Sequence, residues 1–198
     1  MTAIGLDGFA AKFAADGDPW DTFAGRDEAT KRAAILHALG PGPIGRVLEL
    51  ASGNGSNSAA IAPRALRLDA TEGTEEGTRL TARAIARWPR ACASVLALPG
   101  RFPRVTYDAI VVAELLYYLT PRAMAALAAD VGRALRPGGR LVLAHHRIDY
   151  YDFAQHAAGI HGRFLAGIGR EFAVGEGRRT ASWIVEAVRI GTPSPPAG

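Results

Sequence analysis

The sequence predicts an α/β fold in one domain, and three observations carry that reading. Apolar, strand-like runs alternate with helix-like stretches from residue 46 to 165. One run, Arg46 to Leu50, passes straight into a turn of small residues, Ala51-Ser52-Gly53-Asn54-Gly55, that opens a helix. The length, 198 residues of which 48% are hydrophobic, suits one core of ordinary size.

Phe9, Ala10 and Phe13 share a helical face, and Gly17-Asp18-Pro19 breaks the pattern. A second helix is expected over Asp27 to Leu39, stopped by Gly40-Pro41-Gly42-Pro43. The first strand is Arg46 to Leu50, followed by a short helix over Asn54 to Ala62. Ala65 to Thr71 reads as a second strand and Thr74 to Ala86 as a helix. Ser94 to Leu98 gives a weak third strand, and Tyr107 to Ala113 is the clearest buried strand. Thr120 caps a helix over Pro121 to Leu135, with proline in its first position. Pro137-Gly138-Gly139 turns into a fifth strand, Arg140 to His145. A helix over Tyr151 to Leu165 and a hairpin from Phe172 to Ile190 complete the domain. It is expected to span 1–191, helices before residue 40 included, with a proline-rich, disordered tail at 192–198.

Lys and Arg number 23 against 19 Asp and Glu, for a formal charge of +4, and the arginines are scattered. Nucleic-acid binders more often concentrate such charge in a stripe, so no nucleic-acid partner is expected. Cys92 is the single cysteine; it excludes an internal disulfide and a cysteine metal cluster, and is expected to be buried and inert. No apolar run reaches the roughly 18 residues of a membrane span. The N-terminus has no leader pattern, so the expected location is cytoplasmic.

The chemistry gathers at the ends of the strands. Small residues at 51–55 let the backbone approach a ligand closely. A dinucleotide turn would carry a third glycine, where Ser58 stands here. Glu49 would oppose a pyrophosphate but suits a cationic ligand. Asp69 and Glu72 are candidates for the acid that accepts ribose hydroxyls; Glu72, followed by Gly73 at the strand's lip, is favoured. The fourth strand delivers Glu114 to the same rim, followed by Tyr117 and Tyr118, while Asp108 at its far end reads as structural. The fifth strand ends at His145 and His146. His145 is the candidate base. Adjacent strand residues face opposite ways, so the two are not expected to share a metal.

These stretches resemble the class I methyltransferases, and more narrowly their nodulation protein S type. The resemblance rests on Asp18-Pro19-Trp20 with Glu28 and Lys31, on 48–55 (LELASGNG), on 111–119 (VVAELLYYL) and on 135–145 (LRPGGRLVLAH). It implies a Rossmann-like three-layer sandwich: a seven-stranded, mostly parallel sheet with an antiparallel last strand and an N-terminal helical lid. It implies S-adenosyl-L-methionine as cofactor, with contacts from Trp20, Glu49, Ala51, Ser52, Gly53, Asn54, Gly55, Glu72, Gly73, Leu96, Ala97, Leu98 and Glu114. Catalytic roles fall on His145, Glu114 and Tyr117, and no metal is expected. The acceptor implied is a small molecule or saccharide, foremost the nitrogen of an amino sugar, with O-methylation possible. Three positions depart from the pattern. Ala51 stands where the first glycine is usual, Ala97 where relatives carry an acid toward the adenine amine, and Asp27 where an aromatic is common. A catalytically silent cofactor-binding protein is the alternative that Ala51 and Ala97 favour. A nucleic-acid methyltransferase is opposed by Glu114-Leu115-Leu116-Tyr117 standing where such enzymes present Asn/Asp-Pro-Pro-aromatic. A nicotinamide-dependent reductase is opposed by Glu49 and the missing glycine.

Overall fold

The structure is a computed structural model that describes residues 3–191; the tail expected at 192–198 lies outside the described residues. Two helices, α1 (Leu6–Ala15) and α2 (Arg26–Leu39), precede the sheet. Strand β1 (Ile44–Leu50) leads into α3 (Ser56–Ile61), and β2 (Ala65–Glu72) into α4 (Glu75–Ala84). Strand β3 (Ala91–Val95) follows, then β4 (Tyr107–Ala113), α5 (Pro121–Ala134), β5 (Leu135–His146) and α6 (Ile160–Ala166). Strands β6 (Phe172–Arg179) and β7 (Trp183–Ile190) close the chain. Thr120 caps α5 by accepting from Ala123 N, and Thr74 caps α4 by accepting from Gly77 N.

The seven strands form one sheet in the order β3-β2-β1-β4-β5-β7-β6. Pairing is parallel from β3 through β5, and β7 runs antiparallel to both β5 and β6. Alternation along the strands divides the core in two. Leu48, Leu50, Ile110, Val112, Leu141 and Leu143 pack with Leu127 of α5 and Phe164 of α6. Val47, Val111, Val142 and Trp183 pack with Ile35 of α2 and Ile61 of α3. Burial on both faces is why β1 and β4 read as continuous apolar runs. Strand order reverses between β1 and β4, and open α/β sheets bind ligands at the carboxyl ends beside such a point.

The structure shifts several expected elements. Strand β3 lies at Ala91–Val95, so 96–98 is the loop beyond its end. As an edge strand it pairs on one side alone, and Cys92, expected to be buried, is exposed there. Strand β5 begins at Leu135, opposite Tyr107, and takes up Pro137–Gly139 in a register shift between Tyr107 and Ala109. Of the helix expected over 151–165, Ile160–Ala166 forms the helical part. The preceding loop is pinned by specific contacts instead. Phe153 stacks on Tyr117 with ring centroids 3.7 Å apart, and Ala154 N and Gln155 N donate to Tyr117 O at 2.8 and 3.1 Å. Asp108 accepts from Arg46 N at 2.6 Å and from Arg136 at 2.7 Å, the structural role expected of it.

Candidate active site

The turn after β1 contains three left-handed residues: Ala51 at φ +53°, Gly53 at +60° and Gly55 at +86°. At Gly55 a side chain is excluded twice over, because an added Cβ would lie 2.8 Å from Thr81 Cα. At Gly53 an added Cβ would stand in van der Waals contact with the Phe13 ring of α1, 3.7 Å away. Ser52 N donates to Thr71 O at 2.8 Å, and its hydroxyl bonds Thr81 Oγ1 at 3.0 Å. Thr81 Oγ1 in turn reaches Gly53 O at 3.0 Å, so the turn is anchored to both β2 and α4.

Glu72 ends β2 beside this turn. One carboxylate oxygen accepts from Gly53 N at 3.2 Å, the other from Thr74 N and Thr74 Oγ1 at 3.0 Å each. Burial pushes the Glu72 carboxyl above its ordinary range against the pull of those bonds. Asp69 lies inside β2 and pairs with Arg46 at 3.2 Å, away from the lip. An added Cβ on Gly73 would come within 2.6 Å of Leu6 of α1. Leu96 N donates to Glu72 O at 2.7 Å; Leu96 and Leu98 pack on the core while Ala97 is exposed. Glu49 is fully enclosed and accepts from the Ser58 hydroxyl; burial raises its carboxyl to about 7.

Helix α1 and the segment after it form a lid over the turn. Trp20 packs edge-on against Phe13 with centroids 5.4 Å apart and tilts on Phe9 at 6.1 Å. Phe9 meets Tyr118 edge-on at 5.0 Å, which carries the aromatic contacts on to the rim of β4. A polar latch joins lid to turn: Asn54 Nδ2 donates to Asp18 Oδ1 at 2.7 Å. Asp18 also accepts from Thr22 N and Thr22 Oγ1 at 2.7 Å and from Phe23 N at 2.9 Å. Partial burial would raise Asp18, but these hydrogen bonds outweigh it and hold the carboxyl below its ordinary value.

At the ends of β4 and β5 lies a charged cluster. Glu114, also left-handed at φ +52°, receives Lys31 Nζ from α2 at 2.5 Å. Lys31 Nζ also bonds Glu28 Oε1 at 2.7 Å and is buried. Burial alone would lower the Lys31 ammonium, but Glu114 and Glu28 outweigh it and hold it above the ordinary lysine range. The Tyr117 hydroxyl donates to Glu114, and His146 N lies 3.3 Å from Glu114 Oε2. His146 Nε2 stands 3.8 Å from Glu114 and 3.9 Å from Glu28; its Nδ1 is buried with no hydrogen bond among the described residues.

His145 is corrected by this geometry. It is fully buried on the opposite face, and its Nε2 accepts from Leu115 N and Leu116 N at 3.2 and 3.1 Å. A lone pair held by two amides is not free to take a proton from an acceptor. The neighbouring His146 turns instead toward α2, because β5 alternates its faces. Tyr117, expected at the rim, is buried and reaches it through its hydroxyl alone. His161 is buried beneath the sheet, whereas His156 is exposed on Asp149 at 2.6 Å and Tyr151 is exposed in the same loop. Asp27 accepts from Trp183 Nε1 at 2.9 Å, which ties α2 to β7. Periodicity alone could not bring Lys31 to Glu114; strand alternation was the available signal for His146.

The turn, the acid at the end of β2 and the aromatic lid suit a cationic nucleoside. An added Cβ on Gly53 would just touch the lid, Glu72 places carboxylate oxygens beside it, and two further acids, Glu49 and Glu114, stand at the ends of β1 and β4. Nothing in this turn is built for a phosphate, which would meet these acids. Among the described residues, no group of three or more His, Cys, Asp or Glu could hold a metal ion.

A family model described as a methyltransferase domain matches residues 47–139, from β1 to the bulge in β5. The N-methyltransferase NodS from Bradyrhizobium japonicum WM9, solved with S-adenosyl-L-homocysteine, superposes with a TM-score of 0.79 at 20% identity, covering 96% of this chain and 98% of NodS. A DhpI complex with S-adenosylhomocysteine superposes with a TM-score of 0.73 at 21% identity, covering 96% of each chain. No curated protein matches the sequence. A methyltransferase-domain model thus matches the centre of the chain, and the fold of NodS extends over nearly its whole length.

Proposed function

We propose that the protein methylates the nitrogen of a small amine, with an amino sugar as the first candidate. The observation that carries this reading is the cluster at the rim, where Glu28 and Glu114 face the single ammonium of Lys31. The surplus negative charge suits an acceptor that arrives as a cation and reacts as the neutral amine. His146 stands between the two carboxylates and is the group positioned to take the proton.

When bound, the cofactor's sulfonium supplies the methyl group and departs as a neutral thioether. The acceptor nitrogen would gain that methyl group and a positive charge, with the electron pair of the broken C–S bond left on sulfur. Its proton passes to His146 or to water. The residues proposed to hold the cofactor are Glu72, Gly73 and 51–55 below, Trp20 with the lid above, and the 96–98 loop beside the base. Glu49 and Glu114 would offset the charge of its cationic end. Holding the two reactants in line is worth roughly 7–11 kcal/mol, whereas a general base adds a factor of about 10²–10⁴. The reading therefore places most of the catalysis in positioning.

NodS is named for N-methylation, and its architecture supports the amine reading. The test is mass spectrometry of a panel of amino sugars, simple amines and hydroxyl-only sugars incubated with S-adenosylmethionine. Methyl transfer to amines is expected. Transfer confined to hydroxyl-only compounds would reject the amine reading, and failure to bind S-adenosylhomocysteine by calorimetry would reject the proposed cofactor site.

A further inference from the structure

Behind the acceptor rim, three side chains form a continuous hydrogen-bonded chain. Leu115 N and Leu116 N both donate to His145 Nε2. With two N–H groups aimed at it, Nε2 must hold the lone pair, and the ring proton sits on Nδ1. His145 Nδ1 lies 2.9 Å from His161 Nε2, which therefore accepts and leaves the His161 proton on its own Nδ1. That proton meets Glu186 Oε2 at 2.5 Å. The bond from His161 holds the Glu186 carboxyl below its ordinary range, against partial burial, so the chain ends on an ionised acceptor. Burial, with His161, Lys31 and His146 nearby, keeps His145 well below its ordinary value and hence neutral. Every proton along the chain has one place.

The two amides at its head belong to the residues directly after Glu114, whose left-handed φ of +52° is unusual for a non-glycine residue. They directly precede Tyr117, whose hydroxyl donates to Glu114. The orientation of Glu114 thus depends on a turn held by an imidazole, and that imidazole depends on Glu186 of β7.

We propose that Glu186, His161 and His145 are positioning residues that set Glu114 and Tyr117 for the acceptor. This rests on the amine reading in so far as Glu114 faces the acceptor. Glu186→Leu removes the last hydrogen-bond acceptor, freeing His161 to take the opposite tautomer and set a donor against His145 Nδ1–H. Glu186→Gln keeps an oxygen for His161 and is the rescue variant.

The experiment combines steady-state kinetics on the amine, calorimetry with S-adenosylhomocysteine, nitrogen NMR of the imidazoles and hydrogen exchange at Leu115 and Leu116. In E186L the acceptor kcat/KM is expected to fall about three- to tenfold, the scale of one lost hydrogen bond, with cofactor affinity within about twofold of wild type. E186Q is expected to recover most of that loss. Wild type and E186Q should show His145 protonated at Nδ1 and slow exchange at both amides; E186L should lose both signatures. A wild-type His145 protonated at Nε2, equal losses in E186L and E186Q, or a parallel loss of cofactor affinity would each overturn the relay. If wild type turns over no amine, the amine reading fails separately. The tautomers and amide exchange then decide the relay alone, and unchanged exchange in E186L overturns it.

Discussion

Asn54 Nδ2 and Asp18 Oδ1, 2.7 Å apart, join the floor of the proposed cofactor site to its lid across 36 residues of sequence. Because Asp18 also fixes Thr22 and Phe23, the lid's exit from α1 is locked to the same carboxylate. Asp18→Ala should therefore weaken S-adenosylhomocysteine binding about tenfold, consistent with hydrogen bonds to a charged group. Calorimetry checks it; an unchanged Kd would mean that the latch plays no part in holding the cofactor.

Glu49 sets a pH dependence with a definite sign. Its carboxyl is raised from 4.5 to about 7 by burial. A raised folded-state value means that its contribution to stability is fully present below about 4.5 and is lost as pH rises through about 7. Glu49→Gln should thus be more stable than wild type above pH 7, by up to about 3 kcal/mol, with the gap closing toward pH 5. Denaturant titration at several pH values tests this.

The same group should respond to the cofactor. A cationic ligand favours the ionised carboxylate, so binding should release a proton. Wild-type affinity is expected to rise about tenfold from pH 6 to 8 and then level off, while Glu49→Gln stays flat. Calorimetry in buffers of different ionisation enthalpy would count the proton; none released would remove Glu49 from the cationic end.

Ala51 occupies a left-handed conformation at φ +53°, which costs a residue with a Cβ roughly 1–2 kcal/mol. Ala51→Gly relieves that strain but adds freedom to the unfolded chain, worth about 0.4–1 kcal/mol. The melting temperature should therefore stay level or rise by a few degrees. Ala51→Val should fall well below wild type, because a β-branched side chain tolerates this region poorly. Thermal unfolding with no difference between the two variants would contradict the strained turn.

Lys31→Met leaves Glu28 and Glu114 facing one another without their cation. A buried pair broken from one side can cost 3–5 kcal/mol; with both carboxylates part-exposed, about 2 kcal/mol is expected here. Chemical denaturation checks it; an unchanged stability would mean that Lys31 does not hold the two carboxylates together.

Strand β4 and the turn after β1 were legible because their signals are local. An apolar run covered on both sides and a stretch of small residues need no knowledge of partners. Strand β3, Ala-Cys-Ala-Ser-Val at an edge, has little apolar pattern, and its placement missed by three residues. The loop before α6 was expected to be helix from Tyr151 onward. What holds it is Phe153 on Tyr117, a contact that spacing does not encode.

By itself the sequence determined the α/β order, the glycine turn with Glu49 before it and the acid at Glu72. Each depends on residues within one turn or strand of each other. The tertiary structure alone decided that Lys31 meets Glu114 across 83 residues, that His146 and not His145 faces Glu28 and Glu114, and that Ala51 is left-handed. Those outcomes follow from how α2, α6 and β7 pack against the sheet, and packing partners distant in the chain leave no periodic trace in it.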